Sequence, residues 1–402
     1  MTGLGAEISR RSLLGGATAG LSTLALGQML HAEAAGGPDA RTHFPAKAKR
    51  IIWLFMHGGP SHVDLFDWKP ELARQAGKPL PSSAGAVETR RDVASNPLLG
   101  PVMPFRKRGA SGMEISDFLP RMASLADEMC VIRSCHGDSV NHPQSVYQMN
   151  TGSVLMGKPS FGSWLAYGLG SENEDMPAFV VLPDPGGGLK GGPPAWGSGF
   201  LPATYQGTTM RAGESPILDL QPADGRGRAR QRAILDLTRD FNRMHAEQRA
   251  ADTRLEARVR AYELAFRMQM AAPEAVDISR ENVATERMYG LDNAVTREFG
   301  TRCLLARRLI ERGVRFVQIY SGDTNGWDAH NDVRKNHGDL CARTDGPVAG
   351  LILDLKQRGL LEDTVVVWGG EFGRMPMSEK GDGRDHNPWG YSTVLFGAGV
   401  RR

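Results

Sequence analysis

Apolar positions along this chain follow two periods. Short apolar runs bounded by Gly, Pro or charged residues read as buried strands at 50–56, 130–134, 179–182, 314–320, 364–368 and 392–396. Between them apolar residues recur at helical spacing. Helices are predicted over 118–126, over 143–150 with Pro143 in the first turn, over 299–312 ended by Gly313, and over 348–358 ended by Gly359. Strands alternating with helices predict an α/β fold with a mainly parallel central sheet. Residues 68–112 show no clear period. Residues 183–213 form a Gly/Pro loop longer than an idle connection needs. Residues 222–290 read as a helical insertion. There Ile234, Leu237, Phe241 and Met244, then Leu255, Val259, Tyr262 and Phe266, predict two amphipathic helices packed on the main body.

Composition narrows the classes. The 402 residues are 41% hydrophobic, too apolar for a disordered chain, and long enough for one large domain. A net charge of +3 gives no reason to expect nucleic acid or an acidic membrane as partner. The first 34 residues read as an export signal: Arg10-Arg11, an apolar stretch from Gly15 to Leu30, and the small residues of Ala32-Glu33-Ala34. The paired arginines predict the twin-arginine route, hence a periplasmic or secreted protein that meets the membrane only through that signal. Residues 35–402 then form the folded domain. The four cysteines have no zinc-ribbon spacing and read as free thiols, with Cys303–Cys341 the one cross-link to consider.

The polar residues that carry chemistry follow the strands, where ligands bind in such sheets. The first strand leads into His57-Gly-Gly-Pro-Ser61-His62-Val-Asp64. The second leads into His136-Gly-Asp138-Ser139-Val-Asn141-His142. After Tyr320 come Asp323, Asp328, His330, Asp332 and His337. After Trp368 come Glu371, Arg374, Arg384, Asp385 and His386. Seven of the ten histidines fall in these loops, a concentration that points to a metal site. Imidazole with carboxylate ligates zinc, manganese or, with more oxygen, calcium, as one or two divalent ions. Arg374 and Arg384 are the candidates to hold an anion through the guanidinium fork. Ser139 is the candidate nucleophile, with Ser61 and Ser145 competing. The run Gly186 to Gly192 lacks a dinucleotide fingerprint and reads as a lid or packing loop.

Certain segments resemble a family of secreted bacterial proteins, domain of unknown function 1501: His57-Gly-Gly-Pro-Ser61, Met149-Asn-Thr-Gly152, Cys303 to Gln318, Gly326-Trp-Asp-Ala-His330, Val366 to Arg374, and Gly383-Arg-Asp-His386. That family looks like a branch of the alkaline phosphatase and sulfatase superfamily. The resemblance implies a three-layer α/β/α sandwich and a one- or two-metal site acting on phosphate or sulfate esters of small molecules or polysaccharides. It places Asp328, His330 and His337 at one metal and Glu371, Asp385 and His386 near the other. His57 stands where the superfamily usually has an Asp, with Asp64 further on as its replacement. Members normally continue beyond this point, which predicts a truncated C-terminus. The leading expectation is an exported metal-dependent hydrolase. The alternatives are a non-catalytic binding or assembly protein with a structural metal and, more weakly, a redox protein.

Overall fold

The computed structural model describes residues 45–401 except 86, 212–216, 218–226 and 248–252; the segment read as an export signal, residues 1–34, lies outside these. Residues from Ala48 onward form one compact unit. Its centre is a seven-stranded sheet of β1 (Arg50–Met56), β2 (Cys130–Cys135), β3 (Phe179–Leu182), β4 (Thr208–Thr209), β5 (Phe316–Ser321), β6 (Thr364–Gly369) and β7 (Tyr391–Gly397), in the order β2-β7-β6-β1-β5-β3-β4. β1 is central and pairs in parallel with both β5 and β6. Both of its faces are covered, which explains its unbroken apolar run. Ile52, Leu54 and Met56 enter the main core, while Trp53 and Phe55 enter a smaller one.

Six strands run one way and β7 alone runs the other, antiparallel to β6 and β2. The reason is the connection. Between β6 and β7 the chain makes a loop excursion with no helix, and a parallel return needs a longer crossover.

Helices cover both faces. α1 (His142–Thr151) and α2 (Phe161–Leu169) lie with Trp53, Phe55 and Phe316 on one side. α5 (Arg297–Glu311) and α6 (Val333–Gln357) fill the other with Leu304, Leu305, Ile352 and Leu355. α6 is longer than the pattern predicts. It begins at Val333, where the Asp332 carboxylate accepts from Lys335 N, and it carries Pro347 inside, which masks its first half in sequence. The segment expected as a helix over 118–126 is a single turn, Pro120–Ala123, followed by a short 3₁₀ turn.

The helical insertion holds α3 (Arg228–Glu247) and α4 (Thr253–Val276). α4 packs through Phe266, Met268, Ala272 and Ala275; of its expected stripe Phe266 is buried, Val259 is half-buried and Tyr262 is exposed, while the Leu255 side chain lies outside the described residues. α3 does not: Leu237, Phe241 and Met244 are exposed, and Arg232 instead grips Glu263 of α4 at 2.6 Å. Helical periodicity fixes which residues share a face, not which face is buried. All four cysteines are free thiols. Among the described residues no helix is long and apolar enough to cross a membrane.

Three arginines of α5, Arg302, Arg307 and Arg308, are buried with acids. Arg307 meets Asp354 of α6 at 2.9 Å, Glu281 at 2.8 Å and Glu311 at 2.6 Å, and Tyr289 donates to Asp354 at 2.9 Å. Removing Asp354 leaves Arg307 two of its three acids but takes the acceptor from the buried Tyr289 hydroxyl. Asp354→Ala is therefore expected to destabilise the domain by about 1–3 kcal/mol, read from the urea unfolding midpoint.

Candidate metal centre

Strand ends β1, β2, β5 and β6 deliver their loops to one edge of the sheet. The turn after β1 uses Gly58 at φ +111°, where a Cβ would fall 2.5 Å from Trp327 N. This close approach locks the loops after β1 and β5 together: Trp327 N donates to His57 O at 2.9 Å. Gly58 N donates to the Glu371 carboxylate at 2.9 Å, tying in the loop after β6.

Asp328 is the hub of the edge. Its Oδ1 stands 2.9 Å from His330 Nε2, 3.0 Å from His386 Nε2 and 2.7 Å from Arg374 Nη2. Its Oδ2 stands 3.0 Å from His142 Nε2 and 2.7 Å from Lys190 Nζ.

Each of the three imidazoles is fixed from behind. His142 Nδ1 lies 2.6 Å from Glu371 Oε1, His330 Nδ1 2.5 Å from Glu379 Oε2, and His386 Nδ1 2.6 Å from Val140 O. Those partners accept, so each ring carries its proton on Nδ1 and turns the Nε2 lone pair toward Asp328. Within the protein, His142 Nε2 and His330 Nε2 find no hydrogen-bond donor or acceptor, although both are buried. Lone pairs facing a carboxylate repel unless a cation lies among them. Carboxylate or carbonyl behind imidazole is also the usual arrangement around metal-bound histidine. Ligand atoms of His142, Asp328 and His386 lie within 4.8 Å of one another. The residues therefore fit a metal.

Burial works against the charge on Asp328, but the carboxyl is held well below its usual range, with the Arg374 guanidinium at 2.7 Å opposing the cost of burial. For Glu371 burial is likewise outweighed, by His142 and His57, and the group is lowered to about 2. Burial lowers His386 to about 2, keeping that ring neutral.

Of the residues singled out in sequence, the structure brings Asp328, His330, Glu371, Arg374 and His386 together here. Asp385 lies beside them, grouped with His330 and Glu379, its carboxylate accepting from Arg91 N and His386 N at 2.8 Å each. His57 also reaches the edge, within 4.8 Å of His142 and Glu371. Both its ring nitrogens are taken by backbone, however. Nδ1 lies 3.1 Å from Asp323 O, and Lys190 N donates to Nε2 at 3.2 Å. His57 is thus a clasp between loops rather than a ligand.

Asp64, His337 and Arg384 form a separate buried group. Arg384 binds Asp64 through Nε at 2.7 Å and donates its remaining hydrogens to the carbonyls of Met375, Pro376, Leu99 and Gly100. With its donors spent inward and no exposed surface, it is not available to an anion. His337 Nε2 accepts from Ser61 N at 2.8 Å, and burial lowers this ring to about 3. Arg374 is also sealed: Nε donates to Gly59 O at 2.8 Å, and Nη2 reaches Gly58 O as well as Asp328. It anchors Asp328 instead of awaiting a ligand. Ser139 closes a turn, its Oγ accepting from Asn141 N at 3.1 Å, and Ser61 Oγ donates to Asp64 at 2.5 Å. Among the described residues no hydroxyl or thiol is hydrogen-bonded to Asp328 or its three imidazoles.

Three members of the cluster receive no individual role from the sequence pattern. His142 belongs to a His-rich loop, and its place at the first position of α1 is what aims it. Lys190 belongs to a glycine run with the look of a lid. Glu379 lies in a turn with no motif, and no local signal points to it.

A family model described as a protein of unknown function, DUF1501, matches residues 48–402. No curated protein matches the chain. Among solved structures, a magnesium-bound mutant of TAB5 alkaline phosphatase is similar at 9% identity and a TM-score of 0.34, covering 87% of this chain and 91% of that one.

The Asp64–Arg384 pair has a pH signature. Burial raises the Asp64 carboxyl, but Arg384 and the hydrogen bonds from Ser61 and Val102 N override it, so the folded pKa is lowered from 3.8. A depressed carboxylate adds stability that is whole above its unfolded value and is lost as pH falls through the folded one. Asp64→Asn should therefore be less stable than wild type at pH 7, with the gap narrowing below pH 3.8, as read from denaturant midpoints along a pH series.

Proposed function

Because the chain belongs to the DUF1501 family, described only as proteins of unknown function, we propose its activity from the site itself: an exported, metal-dependent hydrolase of phosphate or sulfate esters. The observation that carries this reading is the convergence of the His142, His330 and His386 Nε2 atoms on the Asp328 carboxylate, with each Nδ1 locked behind.

His142, His386 and Asp328 would hold the ion, with His330 on the same Asp328 oxygen. Ligands of a tetrahedral zinc, each at about 2.0–2.1 Å, stand roughly 3.3 Å apart, close to the 2.9–3.0 Å separations here. Three imidazoles and one carboxylate suit zinc or manganese better than calcium, which takes six to eight oxygens. A bound divalent ion supplies Lewis acidity to an ester oxygen and lowers the pKa of water. The chain's own residues do the rest. Arg374 balances Asp328 and fixes its orientation. Glu371 and Glu379 hold the histidine tautomers and raise their basicity. Because no hydroxyl among the described residues is hydrogen-bonded to the cluster, we take water as the nucleophile: its oxygen bonds to phosphorus or sulfur, the bond to the alcohol oxygen breaks, and the alcohol leaves with a proton. The twin-arginine export comes from Arg10-Arg11 and the apolar stretch behind them.

Elemental analysis of purified wild type should find near-stoichiometric zinc or manganese. His386→Ala and His142→Ala should each lose most of it and cut ester turnover at least 100-fold, while far-ultraviolet circular dichroism stays unchanged. Folded wild type that takes up no divalent ion would refute the reading. Full metal with no turnover of any phosphate or sulfate ester would leave only the binding-protein alternative.

A further inference from the structure

The two arginines that sequence offers as anion binders are both sealed by internal acceptors, so an oxyanion at this site must be met by other cations. Two reach the cluster from separate loops. Lys190 comes from the glycine strap. Gly187, Gly188, Gly191 and Gly192 all adopt positive φ, and the strap is pinned by Lys190 N to His57 Nε2 and by Tyr147 Oη donating to Gly191 O at 2.8 Å. Its ammonium lies 2.7 Å from Asp328 Oδ2 and remains a quarter exposed. Asp328 already has Arg374 as an ion-pair partner, so Lys190 is surplus charge, and an ion held by Asp328 would compete with it for that oxygen.

Arg90 comes from the loop before the turn at 93–95 and is exposed. Its Nη1 sits 3.3 Å from His386 Nδ1, but that nitrogen spends its proton on Val140 O. Donor therefore faces donor, and the guanidinium has found no acceptor there. Arg91 next to it is already paired with Glu379 at 3.1 Å.

We propose that Lys190 and Arg90 form the clamp that recognises a tetrahedral oxyanion, phosphate or sulfate, as the charged group of the substrate. This rests on the metal-site reading above. The pinned glycine strap carries Lys190 to the site, and the flexible four-carbon stem of the side chain lets the ammonium leave Asp328 while Lys190 N stays on His57. The clamp differs from Arg374 and Arg384 in having donors left to give.

The test uses the full mature protein, its metal content measured first, with inorganic phosphate and inorganic sulfate as probes in calorimetry. Lys190→Met and Arg90→Gln should keep wild-type metal content and each weaken phosphate or sulfate binding at least tenfold. Lys190→Arg should restore most of the loss, which a purely structural lysine would not do. The anion bound more tightly by wild type identifies the ester class. Unchanged anion affinity in both variants at full metal content overturns the clamp. Wild type without metal overturns the metal reading alone. The clamp then stands if metal-free wild type binds the anion and both variants lose it, and falls otherwise.

Discussion

Burying a carboxylate is costly unless its oxygens are fully engaged, and Asp328 is engaged five times over. Guanidinium and ammonium account for two of those contacts as ordinary ion pairs. The three imidazoles do not, because their protons sit on the far nitrogen. The edge of the sheet is therefore organised around a concentration of electron pairs that only an added positive centre satisfies. Glu371, Glu379 and Val140 O, each behind a ring, prevent the rings from flipping to relieve it. The polar network is highly specified, and such networks are strong only when every member has its partner.

The arrangement separates two jobs that one residue type does in sequence. Buried arginines hold the scaffold: Arg384 ties three loops through Asp64 and four carbonyls, and Arg374 clamps the turn after β1. Lys190 and Arg90, by contrast, keep part of their surface in solvent beside the cluster. Histidines divide likewise, into those aimed at Asp328 and those, His57 and His337, that join backbone segments. Burial and the partner of each ring nitrogen assign the job.

Much of this is legible in the amino-acid sequence. Strand positions follow from apolar runs with both faces buried, and all six predicted strands form within two residues of their expected ends. The site's location follows from His-rich loops at strand ends. Pairwise geometry is what the sequence does not encode locally. Asp64 and Asp328 look alike in sequence, yet one meets an arginine at its back and the other three imidazoles. α3's apolar stripe is correctly periodic and faces outward. β7's direction depends on a connection without a helix, and Glu379 enters only because a turn places it behind His330. The short 4-residue β3 is visible as an apolar run, while the 2-residue β4 beside it has no sequence signal at all.

The central place of β1 sets the order in which this molecule can be made. Ile51 lies against Phe316 on one side and Val365 on the other, partners that leave the ribosome about 260 and 310 residues later. At translation rates of about 5–20 residues per second, the first strand waits roughly 15–60 seconds for its neighbours. Until then an Ile-Ile-Trp-Leu-Phe-Met segment is exposed with its backbone groups unpaired, which is the composition of an aggregation-prone stretch. Folding is therefore governed by long-range closure, the slow regime for a sheet of this topology. The strand that begins the domain is among the last to be buried.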